Sequence, residues 1–336
     1  MSSLTDVARV AEVSVATASR VLSGSPHPVS EETRNRVVSA ARTVGYTPNG
    51  IARALVTRRS TIIGVIVGDI VDPYFSEITR GADDIAREYG FLTMVCNADG
   101  QPDLELAHVR ALHSFPAAGI IFAGSGRISD SDVERDLVEQ VNRAAAAGTR
   151  VVALAKRGFD SDRILIDNVL ACRDITRYLI SIGHRRIAFI EGPPDLHTSN
   201  DRRQGFEQAM SDAGLASGST HRGGFSLEAG ESAARRLLTE GLPDAIVAAN
   251  DEAAIGALMT LRQAGVDVPG TVSIAGIDDT QPARIVGLTT VRVRLDELGA
   301  AGALAIVEAD ADSQAQVSAQ EHEIVVRATT APRPAS

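Results

Sequence analysis

The side chains that could recognise a partner at the start of the chain lie between Leu4 and Leu22. Arg20 carries a guanidinium that can make a bidentate pair with a guanine. Val15 and Ala16 have no hydrogen-bonding side-chain atoms, so they can contact only apolar features such as a thymine methyl. Such side chains act together only if they share one face of one structural element, and the neighbouring sequence must supply that element.

The apolar spacing around these side chains predicts two short helices with a tight turn between them. The apolar positions are Val7, Ala8 and Ala11 in the first helix, then Val15, Ala18, Val21 and Leu22 in the second. Thr5 and Ser14 are each placed to cap one helix, because a hydroxyl can accept hydrogen bonds from the unpaired amides of a first turn. The sequence therefore predicts a helix-turn-helix in which Ser14 opens the second helix.

A third helix is predicted between Ser30 and Gly45. Ser30 is a candidate N-cap, and Glu31 and Glu32 follow it where the positive end of the helix dipole favours acidic residues. The expected buried stripe comprises Val37, Val38, Ala41 and Val44. Three small helices bury little area, so this unit should be only marginally stable by itself.

Charge divides the chain at about residue 60. Residues 1–60 contain eight arginines and four acidic residues, a net charge of +4, although the whole chain carries −10. The remainder therefore carries −14. A basic N-terminal module on an acidic body indicates that only the module meets a polyanion such as DNA.

The run from Leu4 to Leu22, together with residues 29–34 and 45–49, resembles the headpiece of the lactose-repressor (LacI) family of bacterial transcription regulators. The resemblance extends over essentially the full chain. It implies an N-terminal all-α helix-turn-helix headpiece at 1–46 and an α/β body, similar to a periplasmic binding protein, with two doubly wound parallel-sheet lobes. The implied function is a sequence-specific DNA-binding regulator, a repressor, that binds double-stranded, pseudo-palindromic operator DNA as a homodimer.

The resemblance also assigns DNA contacts residue by residue. The implied base readers are Val15, Ala16 and Arg20. The implied phosphate or positioning contacts are Thr5, Ser14, Thr17, Ser19 and Thr33. One position departs from the family, because many relatives have glycine where this chain has Glu12, and a side chain there is disfavoured if the turn needs a positive φ.

Residues 47–59 are similar to the hinge helix or linker of the family. The similarity is carried by the spacing of Pro48, Asn49, Ala52 and Leu55, and the last three are implied DNA contacts. A helix this short is marginal in water, so we expect the segment to fold only when two copies pack across a minor groove. An ordinary linker is the alternative.

Beyond residue 60, short β-rich runs alternate with longer helical stretches, which predicts parallel sheets with helices on both faces. The predicted strands are Ile62–Val67, Phe91–Cys96, Gly119–Phe122 and Val151–Ala155, then Ile187–Ile190, Ala245–Ala249 and Val272–Ala275. The two sets predict two lobes. The first is expected to comprise residues 60–158 plus about 289–320, and the second residues 159–288 plus about 321–330. The tail, 331–336, is expected to be disordered.

Ligands of such sheets bind beyond the carboxyl ends of the strands, where several polar and aromatic residues of this chain fall. The resemblance assigns the effector contacts to Asp72, Tyr74, Phe75, Arg202, Phe225, Asn250 and Asp278. An aromatic face beside a carboxylate and an arginine fork suits a sugar or sugar derivative. Phe75 could equally be a core aromatic, and the polar residues could simply cap surface elements.

Three positions near the expected cleft depart from the family pattern. Many relatives have asparagine at Asp72, aspartate at Lys156 and glutamine at Val293. An added acceptor or charge at Asp72 would alter the choice of ligand. The effector is therefore expected to be unusual, or the cleft to be altered.

A sugar-modifying enzyme and a transport-type binding protein are the alternative classes. Gly124-Ser125-Gly126 lacks the third glycine and the acidic partner of a dinucleotide loop. The histidines have no metal-ligand spacing, and Cys96 and Cys172 form neither a metal motif nor a disulfide framework. No signal peptide or membrane span is evident, which opposes a transport protein and favours the cytoplasm. We therefore expect no catalysis, no metal and no cofactor.

Overall fold

The computed structural model describes residues 3–23, 28–46, 60–115, 117–129, 131–216, 220–308 and 317–333. The predicted hinge, 47–59, lies outside the described residues, and with it Asn49, Ala52 and Leu55. The end of the predicted tail, 334–336, also lies outside them. The chain divides into two compact units, 1–61 and 62–336.

The first unit contains three helices, α1 (Leu4–Val10), α2 (Val15–Ser23) and α3 (Glu31–Val44). They enclose a small core formed by Val7, Ala8, Ala11, Ala18, Val21, Val37, Ala40 and Ala41. The predicted stripe of α3 is confirmed at Val37 and Ala41, whereas Val38 and Val44 are only partly buried. The helix-turn-helix therefore forms where the apolar spacing placed it.

The caps of these helices agree with the sequence at three of four positions. Ser14 Oγ accepts from the amide of Thr17 (3.0 Å), Ser30 Oγ accepts from the amide of Thr33 (3.3 Å), and Gly45 ends α3 at φ 64°. The prediction that Thr5 caps α1 is wrong. The helix begins at Leu4, because Ser3 and Asp6 form a capping box in which each side chain accepts from the other residue's amide.

The turn between α1 and α2 holds Glu12 at φ 53°. This is the left-handed region, in which any side chain other than that of glycine is disfavoured. We expect Glu12→Gly to stabilise the helix-turn-helix by about 0.5–1 kcal/mol, since strain relief exceeds the entropic cost of glycine. Hydrogen exchange of α1 and α2 amides in the full chain should slow accordingly. Glu12→Ala, which removes the carboxylate but keeps a Cβ, should give no such slowing, and an equal gain in both variants would contradict the strain.

The second unit contains two six-stranded sheets. The first has the order β11-β5-β4-β3-β1-β2, and its described strand pairs are all parallel. Its strands are β1 (Ile62–Val67), β2 (Leu92–Asn97), β3 (Gly119–Phe122), β4 (Arg150–Ala153), β5 (Asp162–Ile166) and β11 (Val317–Gln320). Its helices are α4 (Pro73–Glu88), α5 (Pro102–Ser114), α6 (Asp132–Ala146) and α12 (Leu295–Val307).

The second sheet has the order β12-β10-β9-β8-β6-β7, in which only the β10–β12 pair among the described pairs is antiparallel. Its strands are β6 (Ile187–Glu191), β7 (Thr220–Arg222), β8 (Ala245–Ala248), β9 (Ser273–Asp278), β10 (Thr289–Val293) and β12 (His322–Val325). Its helices are α7 (Asn168–Ser181), α8 (His197–Asp212), α9 (Leu227–Glu240), α10 (Asp251–Gln263) and α11 (Gln281–Val286). The two sheets with their helices form two lobes, as the strand-helix alternation predicted.

Two of the predicted lobe boundaries are wrong. β5 lies after the proposed break at 158 but pairs with β4 in the first sheet, where Arg150 Nε donates to Asp162 (2.6 Å). β10 lies after the proposed return at about 289 but pairs with β9 and β12 in the second sheet. The chain returns to the first lobe only at α12, because strand partners, not local patterns, fix sheet membership.

Two glycines allow α12 and α4 to pack closely in the first lobe. A Cβ at Gly81 would lie 1.9 Å from the carbonyl oxygen of Asp296, and a Cβ at Gly299 would lie 1.9 Å from that of Ile78. Only glycine permits this backbone approach between the two helices. The close packing supports the end of α4 that carries residues of the candidate site.

No helix in the described part of the chain is both long enough and apolar enough to cross a membrane.

Candidate effector cleft and DNA-binding surface

The predicted base readers lie on an exposed face of α2. Val15 is 44% exposed, and Ala16, Ser19 and Arg20 are exposed beside it. Ala18 and Val21 point into the core, so the opposite face anchors the helix. The structure therefore presents these side chains together, and their role on DNA stays a prediction.

The predicted positioning residues of the headpiece lie at helix starts. Thr17 sits in the first turn of α2, and its hydroxyl is 2.8 Å from that of Ser14. Thr33 sits in the first turn of α3, where its hydroxyl accepts from Ser30 (2.8 Å). Thr5 is exposed in the first turn of α1. Amides and hydroxyls at helix N-termini suit phosphate contacts, which is the chemistry predicted for this group.

Arg202 and Asp278 form the polar centre of the second lobe. Arg202 Nη2 donates to Asp278 Oδ1 (2.8 Å), Nε donates to Asn168 Oδ1 (2.8 Å), and Nη1 donates to the carbonyl of Ala249. Arg202 is 2% exposed and Asp278 is 3% exposed. Burial raises the pKa of Asp278, whereas the guanidinium of Arg202 opposes that rise. The two predicted effector residues thus hold each other in place at the end of β9.

Phe225 and Asn250 lie beside this pair. The guanidinium carbon of Arg202 is 6.0 Å from the centroid of the Phe225 ring, within the range of a cation–π contact. Asn250 caps α10 by accepting from the amide of Ala253 (3.1 Å), and it donates to the carbonyl of Phe225 (2.8 Å). The predicted effector residues of the second lobe are therefore one connected cluster.

Asp72 and Tyr74 come from the first lobe, between β1 and α4. Asp72 is the N-cap of α4, where its Oδ1 accepts from the amide of Tyr74 (2.9 Å). Burial raises the pKa of Asp72 to about 7, and the charges of Asp278 and Glu252 add to the rise. Burial likewise raises the pKa of Tyr74, with Asp278 as the next cause. The field of Asp278 thus reaches both residues, so the fold brings the predicted positions of the two lobes together.

The raised pKa of Asp72 makes its contribution to stability pH-dependent. A carboxyl whose pKa is about 7 in the folded chain and 3.8 when unfolded binds its proton more tightly in the folded state. Its contribution to stability therefore falls as pH rises from about 4 to about 7. Asp72→Asn, which can still cap α4, should raise the melting temperature at pH 8 and give a smaller gain near pH 4. Thermal unfolding at both pH values tests this, and the same pH dependence in Asp69→Asn would contradict it.

Phe75 lies deeper in the first lobe than its partners. Its ring meets that of Tyr74 edge to face, with centroids 5.0 Å apart, and it packs against the backbone of Gly68. It also lines a cavity of about 110 Å³ at the carboxyl ends of β1 and β3. Phe75 is thus both a core aromatic and a wall of this cavity, whose lining includes none of the other six predicted effector residues.

A buried ion pair that the sequence did not suggest forms one wall of this cavity. Arg157 donates two hydrogen bonds to Glu105, at 2.7 and 2.9 Å, and its guanidinium lies 4.9 Å from the centroid of the Phe122 ring. The pair joins α5 to the loop after β4. It holds that loop, and with it Lys156, at the edge of the cleft.

Three ion pairs connect the lobes across the cleft. Lys156 Nζ lies 2.7 Å from Asp201 Oδ2, Arg127 pairs with Asp195, and Arg284 Nη2 lies 3.4 Å from Glu77 Oε2. Ser125 Oγ also accepts from the amide of Thr198 (3.2 Å). Lys156 therefore bridges the two lobes. Of the six residues in these three ion pairs, only Lys156 stood out in the sequence, because partners distant along the chain leave no local pattern.

Two further observations concern sequence expectations. Val293, where many relatives have glutamine, is 2% exposed and packs in the core of the first lobe. Asn168, which no sequence signal indicated, orients Arg202 through its side-chain carbonyl.

Within the described residues, no group of three or more histidine, cysteine or acidic side chains could hold a metal ion.

Comparison with family models divides the chain at the same place as the structure. Residues 3–49 match the model described as bacterial regulatory proteins, lacI family. Residues 60–325 match the model described as periplasmic binding proteins and sugar binding domain of LacI family. Together the two models cover the headpiece and nearly all of the body.

Relatives of known function are similar over most of their length. The HTH-type transcriptional regulator DegA of Bacillus subtilis is 34% identical over 301 residues, 88% of this chain and 87% of the relative. The HTH-type transcriptional repressor CytR of Escherichia coli K12 is 34% identical over 312 residues, 91% of this chain and 89% of the relative.

Solved structures of regulators also share the fold. The Lac repressor dimer bound to operator and the anti-inducer ONPF has a TM-score of 0.81 at 25% identity, and the match covers 98% of this chain and 99% of that one. The transcriptional regulator CelR in complex with cellobiose has a TM-score of 0.69 at 26% identity, with 98% and 100% covered. The chain therefore belongs to the LacI family and is a DNA-binding transcriptional regulator with a body like that of periplasmic binding proteins.

Proposed function

We propose that this regulator is a repressor that binds a pseudo-palindromic operator as a homodimer and responds to a small molecule held between its lobes. The observation that carries the proposal is the convergence of Asp72, Tyr74, Arg202 and Asp278 from the two lobes into one cleft. A ligand that contacts both lobes favours one lobe arrangement over the other. Linkage then changes operator affinity by the same factor as DNA changes ligand affinity.

The effector class that we propose is a sugar or sugar derivative. The cleft combines aromatic faces with an arginine fork and carboxylates, the groups that recognise polyols. Structural relatives support this class, since a regulator from Enterococcus faecium was solved with bound ribose and CelR with cellobiose. The Lac repressor was solved as a dimer on its operator, which supports the homodimer.

The proposal assigns this chain no catalytic step and no cofactor. Binding energy and a shift between lobe arrangements suffice for regulation, and the relatives are regulators. The site of action that we propose is the cytoplasm, because operator DNA lies there. The seven effector positions and the eleven DNA positions named from the sequence are retained as the proposed contacts.

Selection from random duplexes with the full-length protein tests operator binding. We expect enrichment of a two-fold symmetric sequence whose affinity falls steeply with salt, because phosphate contacts release counterions. The matched control is the same duplex with one half-site scrambled, which should bind far more weakly. A protein that shows no salt-sensitive preference for any symmetric duplex, with or without sugars, is not an operator-binding repressor.

A further inference from the structure

The polar residues of the second lobe satisfy one another before any ligand binds. The charge of Asp278 is matched by Arg202, whose Nε and Nη1 donate to Asn168 and to the carbonyl of Ala249. The side-chain amide of Asn250 is likewise hydrogen-bonded through both its nitrogen and its oxygen. This half of the cleft is close to neutral and already ordered, so it suits the uncharged hydroxyls of a sugar.

The first-lobe half has two polar groups that lack such partners. The carboxylate of Asp72 takes part in one hydrogen bond, from the amide of Tyr74, and in no ion pair within the described residues. The hydroxyl of the largely buried Tyr74 has no hydrogen-bond partner there either. The two groups lie two residues apart at the start of α4, and both feel the charge of Asp278.

The surrounding charges make this half of the cleft negative. The carboxylates of Asp69 and Glu252 act on Asp72 with the same sign, and Asp278 adds to this even though Arg202 is paired with it. The nearby cations are occupied, since Arg202 is paired with Asp278 and Lys156 with Asp201. Where Asp72 is ionised, a neutral ligand that closed the cleft would leave its carboxylate desolvated and without a counter-charge, which is costly.

We propose that the effector carries a protonated amine, which lies against the Asp72 carboxylate and the Tyr74 ring and hydroxyl, as in an amino sugar. An ammonium offers three donors to these acceptors and is attracted by an aromatic face. The inference rests on the proposed function, because it names the chemistry of the effector in the same cleft. Because burial raises the pKa of Asp72 to about 7, part of this carboxyl is protonated near neutral pH, and an ammonium bound beside it would lower that pKa.

Matched ligand pairs test the proposal on the full-length protein at pH 7. The probes are glucosamine, galactosamine and mannosamine, each beside its parent hexose, with calorimetric affinity and operator affinity as readouts. We expect at least one amino sugar to bind more tightly than its parent by at least about tenfold, the effect of 1.4 kcal/mol. That amino sugar should also change operator affinity more than its parent does.

Asp72→Asn should reduce this preference to within about twofold, because it removes the charge and keeps the cap on α4. The matched control is Asp69→Asn, which removes one charge from the same loop and can keep the hydrogen bond to the amide of Val71 (3.1 Å). This control should keep most of the preference. Tyr74→Phe, which retains the ring, should weaken binding of the amino sugar more than that of its parent.

Three outcomes overturn the inference. A hexose that binds and shifts operator affinity as strongly as its amine shows that the charge is not recognised, although the proposed function then stands. An equal loss of preference in Asp72→Asn and Asp69→Asn shows that the amine responds to the general field rather than to Asp72. If neither set of compounds binds or changes operator affinity, the sugar effector itself is overturned together with the amine.

Discussion

Arg202→Met should lower the free energy of unfolding by about 3–5 kcal/mol, the cost of leaving a buried charge without its partner. Asp278, 3% exposed, would lose its counter-charge, and the carbonyls of Asn168 and Ala249 would each lose a donor. Urea unfolding of the full-length protein measures the loss. The variant should also lose its response to the effector, because Asp278 would no longer be held in place.

The control for this loss is an ion pair of similar length that is exposed. Arg177 Nη2 lies 2.7 Å from Asp212, and both side chains are about half exposed. Arg177→Met should therefore cost less than about 1 kcal/mol. Equal losses in the two variants would contradict the assignment of a buried, mutually dependent pair.

A second variant separates the charge from the loss of packing. Adding Asp278→Asn to Arg202→Met removes the uncompensated carboxylate, so the double variant should regain part of the stability. Without Arg202, the pKa of Asp278 should rise further, because burial would act unopposed. The single variant should thus be less destabilised at pH 5 than at pH 8, since a carboxyl with a raised folded pKa loses stability as pH rises.

Arg20→Ala should cost about 1–3 kcal/mol of operator affinity per half-site and relax specificity at one base pair in each. Arg20 lies on the exposed face of α2 beside Val15 and Ala16, where it can meet a guanine. Fluorescence anisotropy with operators substituted symmetrically, one position at a time, measures this. At the base pair that Arg20 contacts, operator substitutions that weaken binding of the wild-type protein should not weaken binding of the Arg20→Ala variant.

Arg9→Ala is the matched control for Arg20. Arg9 lies on α1, where it is exposed and pairs with Asp6 at 3.5 Å. Its loss removes the same charge, so it should weaken binding to all duplexes evenly and by less. A uniform loss for Arg20→Ala as well would show that Arg20 contacts phosphate and reads no base.

The local features of this protein follow from its sequence. The helical spacing of Val7, Ala11, Ala18 and Val21 predicted α1 and α2. Ser14 predicted the start of α2, and Ser30 and Gly45 predicted the two ends of α3. The alternation of runs such as Ile62–Val67 with helical stretches predicted the two parallel sheets. These features depend on neighbours within a few residues, so the order of residue types determines them.

Only the tertiary structure decided which elements belong together and what each polar group meets. β5 and β10 joined sheets other than those predicted, because each pairs with the strand just before it and with a strand near the end of the body. Arg202 and Asp278 are 76 residues apart, and Lys156 meets Asp201 across the cleft. The exposed α2 face and the excess of negative charge at Asp72 likewise result from packing, since burial and distance set those energies and neither is written in the local sequence.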